Sequence, residues 1–431
     1  MARIVLNTFG SLGDLHPYLA IAIELRRRGH AAVLATSEVY RRKILAENVG
    51  FAPVRPDVGR LLNDAAFIER LWHPRRGSEF LLREYLVPQV EDSYTDLLEA
   101  CQGADLLLTH AAALAGPIIA EKLGLPWLSV ALQPMLFFSA YDPPVLPGGE
   151  WARHLYRFGP RMFQVLMRIG RLRLDRWAEP IHKLRARIGL PPSSVNPLIY
   201  GSSPFGTVAL FSRALAKPQP DWPPNTSLCG FVFYDELGEM HEAPAENDWE
   251  LRNFLRAGPP PVLFTLGSSA VMHPGEFFRE SITAVHALGV RAVLLAGQRQ
   301  SEIHNPLPDS IFVAGYVPFS KVMPASAAIV HQGGIGTTAQ ALRAGRPMLV
   351  VPWSHDQPDN AERIRRLGYG RTIPRNSYYA PRVSNELKEL LTQPAYSQRT
   401  AEAAAQIASE DGVGAASDEI ESALRLPLLA H

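Results

Sequence analysis

The sequence predicts an α/β protein of two similar domains, each a parallel sheet covered by helices on both faces. Three observations carry this. Short apolar runs alternate with helical stretches from the first residues onward, and a parallel sheet buried on both faces needs continuous apolar strands of that kind. The alternation restarts in the second half, beyond KPQPDWPPN at 217–225, a stretch with four prolines in nine residues. The 431 residues, 47% hydrophobic, suffice for more than one buried core.

The elements follow in order. RIVLNTF at 3–9 is a short β-rich run ended by glycine. DLHPYLAIAIELRRRGH then shows helical spacing, with Leu15, Leu19 and Ile23 on one face, arginines near its end and Gly29 as the stop. AAVLATS at 31–37 is the next strand, and FAPVR, DLLLTH and WLSVALQP are further ones. The stretch 135–200 is read as a helical insert. Within it, residues 151–190 hold ten Lys or Arg against two acidic residues, interleaved with Trp151, Tyr156, Phe158, Phe163 and Trp177. Two expectations stand for that stretch: a pair of helices with aromatic inner faces and solvated arginines, or a basic amphipathic surface in peripheral contact with a membrane. In the second half, PVLFTLGSS (261–269), RAVLLAG (291–297), IFVAGY (311–316), AAIVHQ (327–332) and PMLVVPW (347–353) are candidate strands. Proline blocks helix and cannot donate to a ladder, so 217–225 is expected to be a linker between domains 1–216 and 226–431, the last helix packing back on the first. Ligands of open parallel sheets bind beyond the carboxyl ends of the strands, and a site in a cleft between two facing domains is expected.

Bulk properties exclude several functions. Lys plus Arg number 43 and Asp plus Glu 42, which argues against a nucleic-acid protein. Cys101 and Cys229, far apart in sequence, read as small core residues. No run of about twenty apolar residues and no signal-peptide pattern are visible, so a cytoplasmic protein is expected.

Two motifs carry chemistry. In HQGGIGTTAQALRAGRPMLVVPWSHDQPDNAER (331–363), a strand runs into a glycine turn and then a helix. Glycines admit a ligand close to the backbone, and the helix start offers unpaired N–H groups, which suits a diphosphate. Asp356 and Gln357 follow at the carboxyl end of the next strand, where an acceptor and a donor side by side can hold sugar hydroxyls. Diphosphate and sugar together mean a nucleotide sugar. In FGSLGDLHP (9–17), Gly10 and Gly13 give a spacing unlike the dinucleotide fingerprint. Asp14 there is either the N-cap of the helix opening at Leu15 or a general base at the strand end. His16 is a second candidate base, and His110, ending DLLLTH, reads as a capping or core histidine.

The 331–363 stretch resembles the donor-binding signature of family 1 glycosyltransferases, through Gly333, Gly334, Gly336, Thr337, Gly345, Pro347, Pro352, Asp356, Gln357, Pro358, Asn360 and Ala361. The likeness extends over essentially the whole chain, and within the family to the chain-B-like subgroup of rhamnolipid rhamnosyltransferases and related bacterial flavonoid- and sterol-type enzymes. The resemblance implies the GT-B fold, two facing Rossmann-like domains with an interdomain cleft. It implies that Asp356 and Gln357 hold the donor sugar, that Gly334, Gly336, Thr337 and Ser268 lie at the phosphates, and that Tyr316 stacks on the base beside the Val317 backbone. Gln340 takes the place of the family's ribose-binding Glu. The family's phosphate-binding His aligns with Gln332, so both His331 and Gln332 are candidates. Asp14 takes the place of the general base. The acceptor pocket is expected around Met135, Phe137, Phe138 and Tyr141, favouring an apolar or aromatic acceptor such as a phenol, flavonoid, sterol or hydroxy-fatty acid.

The reading is an inverting hexosyltransferase needing no metal and no cofactor beyond the nucleotide-sugar co-substrate, with dTDP-rhamnose the expected donor. Three alternatives stand beside it: a UDP-glucose-dependent sterol or phenol glucosyltransferase, a GT-B nucleotide-sugar epimerase, and a non-enzymatic binding protein.

Overall fold

A computed structural model describes residues 1–59, 64–149, 159–193, 196–199, 203–234, 245–303 and 307–426. Trp151, Tyr156 and Phe158 lie outside them. The chain forms two compact units: residues 1–71, 75–234 and 410–431, and residues 72–74 with 235–409.

The first unit is built on seven parallel strands: β1 Arg3–Asn7, β2 Ala31–Thr36, β3 Gly50–Pro53, β4 Leu106–His110, β5 Trp127–Ala131, β6 Thr207–Ala209 and β7 Thr226–Leu228. Their order is β3-β2-β1-β4-β5-β6-β7. The apolar runs are continuous because both faces are covered. Val5 and Leu107 point into one cluster with Leu97, Ile118 and Ile119 of the helices Val90–Ala100 and Gly116–Leu123. Their neighbours Ile4, Leu6, Leu106 and Leu108 are equally buried. The helix Glu179–Arg187 adds Ile181 and Leu184 to the first cluster, and Arg185 of that helix forms a bidentate pair with Glu121 at 2.6 and 2.9 Å.

The second unit repeats the plan with β8 Val262–Thr265, β9 Ala292–Leu295, β10 Ile311–Ala314, β11 Ala328–His331, β12 Met348–Val350 and β13 Gly370–Thr372. Their order, β10-β9-β8-β11-β12-β13, reproduces the first six positions of the other sheet. In each sheet the order reverses beside the first strand, between β1 and β4 and between β8 and β11. That reversal opens a crevice at the carboxyl edge where open sheets bind ligands.

The proline-rich stretch 217–225 is not a linker: it connects β6 to β7, both in the first sheet, and the first unit runs on to Tyr234. The stretch is folded onto its own unit. Asp221 accepts hydrogen bonds from Ser139 Oγ and the Ala140 N–H, both at 2.6 Å. The ring of Trp222 lies 4.5 Å from Phe137 and 5.8 Å from Phe211. The helix Gly412–Ala423 belongs to the first unit, where it packs on the helix Leu12–Arg27. Arg28 pairs there with Asp418 at 2.5 Å and Glu421 at 3.0 Å.

Candidate active site

In the first unit the site begins at the end of β1. The helix Leu12–Arg27 is capped by Ser11, and Asp14 sits at its third position, not at its cap. The two form a capping box: the Ser11 N–H donates to Asp14 Oδ2 at 2.8 Å, and Ser11 Oγ donates to the same oxygen at 3.2 Å. Gly10 makes room for this. Its φ is +139°, and a Cβ there would run into the Asp14 carboxylate.

The other oxygen, Oδ1, faces His110 Nε2 at 3.8 Å. His110 ends β4, so the pair straddles the strand reversal. His110 Nδ1 accepts from the Ala112 N–H at 3.3 Å, which places the proton of the neutral ring on Nε2, towards Asp14. Burial raises the Asp14 pKa, and the nearby His110 opposes that shift. Burial lowers the pKa of His110. His110 is a buried core histidine that caps no helix, since the next helix has Ala115 at its N-cap and no side-chain cap, and it adds a contact to Asp14 that sequence spacing could not reveal. His16 belongs to another surface: two positions along a helix are about 200° apart. Its ring lies 4.9 Å from Tyr234.

Of the expected acceptor residues, Phe137 is buried against Phe211 and Trp222. Its ring is core and unavailable to an acceptor. Met135 and Phe138 are half-buried and Tyr141 is exposed.

In the second unit, three adjacent strand ends converge. After β8 come Gly267, at φ +67°, and the exposed Ser268. β11 ends at the buried His331, followed by the buried Gln332, then Gly333 and Gly334. A Cβ on Gly267 would strike the Gln332 amide and approach Thr337 Oγ1 to 3.4 Å, so the two loops touch. Gly333, at φ +91°, tolerates no Cβ either: Val350 Cγ1 would lie at 2.8 Å and the Gln357 carbonyl at 3.2 Å. The helix Ile335–Arg343 starts at Gly334 with no side-chain cap, and its first turn holds Gly336 and Thr337, with Gln340 half-buried further along. The N–H groups at the start of this nine-residue helix are left without a side-chain cap, the kind of donor set an anion meets. His331 is fully buried with its pKa pushed down to about 3 by desolvation, so it is neutral. Its Nδ1 accepts from the Gly333 N–H at 3.1 Å. It shapes the turn from inside. Gln332 has its Nε2 between Gly267 and Gly334.

After β12, Asp356 precedes the helix Gln357–Leu367. Asn360 Nδ2 donates to Asp356 Oδ2 at 2.7 Å and to the Gly333 carbonyl at 2.9 Å, tying the two loops together. Gln357 is buried, and its Oε1 accepts from the N–H groups of Trp353 at 2.8 Å and Ser354 at 3.3 Å. Among the described residues nothing accepts from its amide NH₂. Asp359 is engaged with Arg363 in a buried pair at 2.7 Å. Residues 72–74, which group with this unit, brace the same turn. The Trp72 ring stands 5.2 Å from that of His355, and Ser354 Oγ donates to the His73 carbonyl at 3.2 Å. His355 is held at φ +59°, a left-handed conformation that costs a non-glycine residue about 1–2 kcal/mol. No motif announces this brace, because its two halves are far apart along the chain. Tyr316, 44% exposed, and Val317 follow β10 at the same edge of the sheet.

Two sheets of the same winding, with a glycine turn and a carboxylate–amide pair at one carboxyl edge and a half-buried carboxylate at the other, define a GT-B glycosyltransferase. The N-terminal domain model of glycosyltransferase family 28 matches residues 4–139, and the C-terminal domain model of erythromycin biosynthesis protein CIII-like proteins matches residues 280–420. The chain is 31% identical over 441 residues to an O-mycaminosyltylonolide 6-deoxyallosyltransferase of Streptomyces fradiae, covering all of this chain and 99% of that protein. It is 28% identical to a sterol 3-beta-glucosyltransferase of Pichia angusta, with 97% of this chain covered but only 33% of that protein. It thus spans about a third of that relative's length. The solved glycosyltransferase VinC, in complex with dTDP, superposes with a TM-score of 0.66 at 21% identity, covering 98% of this chain and all of that one. The chain belongs to the family 1 glycosyltransferases of GT-B fold, and it transfers a sugar to an acceptor.

Proposed function

We propose that the protein moves a 6-deoxyhexosyl group, L-rhamnosyl first among them, from a dTDP-sugar to a hydroxyl of an apolar acceptor, with inversion and without a metal ion. The observation that carries this reading is the junction of three loops at the carboxyl edge of the second sheet. There an uncapped helix start, Ser268 and Thr337 suit a diphosphate, and Asp356 with the Gln357 amide suits sugar hydroxyls. Two relatives support the nucleotide and sugar class: one is named for a 6-deoxyhexose, and VinC is seen with dTDP.

The acceptor hydroxyl attacks the anomeric carbon from the face opposite the leaving group. As the new C–O bond forms and the bond to the diphosphate breaks, Asp14 takes the hydroxyl proton. The Asp14 carboxylate is a stronger base than an exposed one because burial raises its pKa. Its other oxygen faces the neutral His110 ring at 3.8 Å. The departing diphosphate meets the glycine-turn N–H groups, a preorganised electrostatic partner.

Gln340 bears on the nucleotide. A carboxylate there would accept from both ribose hydroxyls, whereas Gln keeps one acceptor oxygen, which suits a deoxyribose. Side-by-side affinities test this: dTDP should bind at least as tightly as UDP, and Gln340→Glu should move the preference towards UDP. A clear UDP preference in the parent protein removes the dTDP assignment. A donor-by-acceptor screen with mass-spectrometric readout then identifies sugar and acceptor. A second reading, a sterol glucosyltransferase, is favoured by the P. angusta relative, and glucose appearing on a sterol in that screen would establish it.

A further inference from the structure

The helix Pro160–Trp177 has two apolar faces, and only one is used. Phe163 is buried, and Leu166, Met167, Leu174 and Trp177 are half-buried on the same side. On the opposite side Val165, Ile169 and Leu172 are 56, 60 and 66% exposed. Their spacing of four and three residues aligns them in one stripe along the helix. Arg161, Arg168, Arg173 and Arg176 border that stripe, and none of them has an ion-pair partner among the described residues. The helix carries one acidic residue, Asp175, which accepts from Asn196 Nδ2 at 2.7 Å.

Three branched aliphatics in water with four unpaired guanidinium groups around them fit a surface that is apolar within and anionic at its rim. We infer that this helix face docks on an anionic phospholipid bilayer, with Val165, Ile169 and Leu172 entering the acyl boundary and the arginines meeting lipid phosphates. A second copy of the chain is a poor occupant, because pairing the stripe with itself sets arginine against arginine. A nucleic acid would leave the aliphatics unused. No helix among the described residues is long and apolar enough to cross a membrane, so the contact is peripheral. The inference is independent of which sugar is transferred. It gives an apolar acceptor a short path, since such molecules partition into bilayers.

The test uses the full chain and sedimentation with vesicles of phosphatidylcholine alone or mixed with phosphatidylglycerol. Binding is expected with the mixed vesicles only, weakening as salt rises. Val165→Ser/Ile169→Ser/Leu172→Ser together should abolish it while leaving helix content and turnover with a dissolved acceptor unchanged. Arg168→Gln should weaken it about fivefold, and Arg176→Gln likewise. A dye on Ile169→Cys, specific because Cys101 and Cys229 are buried, should shift to the blue on the mixed vesicles. The proposal is overturned if the parent ignores anionic vesicles, if the triple-serine variant binds them equally well, or if the dye does not shift. It is also overturned if sedimentation velocity shows a dimer in the parent that the triple-serine variant loses.

Discussion

At position 14 one carboxylate holds a helix start and faces a histidine, and substitution separates these duties. Asparagine keeps an acceptor oxygen for the Ser11 N–H but cannot take a proton. Asp14→Asn should lower turnover roughly 10²–10⁴-fold with sugar-nucleotide affinity nearly intact, read from steady-state rates and calorimetry. The same substitution should stabilise the fold. Because burial raises the folded pKa of Asp14 above its unfolded value, the native state binds more protons between the two, and stability falls as pH rises through the folded pKa. The variant escapes that loss, so its Tm should exceed the parent's at about pH 8, and the gap should close on acidification below the ordinary carboxylate range. At the sugar turn, Asp356→Ala and Gln357→Ala should each raise KM for the sugar nucleotide with little change in affinity for the free nucleoside diphosphate. Gln357→Ala alone should also lower Tm, since it leaves two buried N–H groups unpaired at about 1–3 kcal/mol each. Equal loss of both ligands on calorimetry would remove the sugar contact. Residue identity was legible where one motif held the whole arrangement, as in 331–363. It was not legible where a partner arrives from far along the chain: Trp222 claims Phe137, and His110 finds Asp14.

Elements were readable in proportion to their length. Strands lying within apolar runs of four or more residues stood out in the sequence, the three-residue β12 among them because PMLVVPW extends beyond it, whereas β6, β7 and β13, three residues each, leave no periodic trace. The proline cluster at 217–225 read as a boundary because proline interrupts any element; the fold uses it as a surface turn pinned by Asp221. The start of the first helix was misplaced by three residues, since Asp and Ser both serve as caps and only the Ser11–Asp14 reciprocity shows which one does. The glycine turn between β11 and the helix Ile335–Arg343 makes the element-scale prediction. Gly333→Ala adds a methyl that Val350 and the Gln357 carbonyl cannot admit, at a φ that alanine resists. Nucleoside-diphosphate affinity should fall at least tenfold, and Tm should fall with it. Gly29→Ala, where a Cβ meets nothing within 4 Å, should cost only its left-handed φ and leave affinity unchanged. Affinity unchanged in Gly333→Ala would show that the turn does not shape the diphosphate site.

The whole chain folds as two units, but one of them is assembled from separated pieces. The helix Gly412–Ala423 inserts Ala416, Ile420 and Ala423, all buried, into the unit that otherwise ends at Tyr234. Ser212 Oγ donates to Glu410 at 2.9 Å, and His30 meets Glu421 at 3.0 Å. Deleting residues 410–431 should lower the Tm of the first unit by roughly 10 °C, from the apolar area alone, with a smaller effect on the second. Calorimetry resolves this as a shift of one transition; no shift would show the helix to be dispensable. The arrangement also sets a timetable at the ribosome. Residues 1–234 emerge first, yet their closing helix is translated only after the entire second unit, on the order of ten seconds later at ordinary elongation rates. During that interval the surface of the helix Leu12–Arg27 that will receive it faces solvent uncovered. A nascent chain stalled near residue 400 should therefore recruit holdase chaperones, and release once translation resumes.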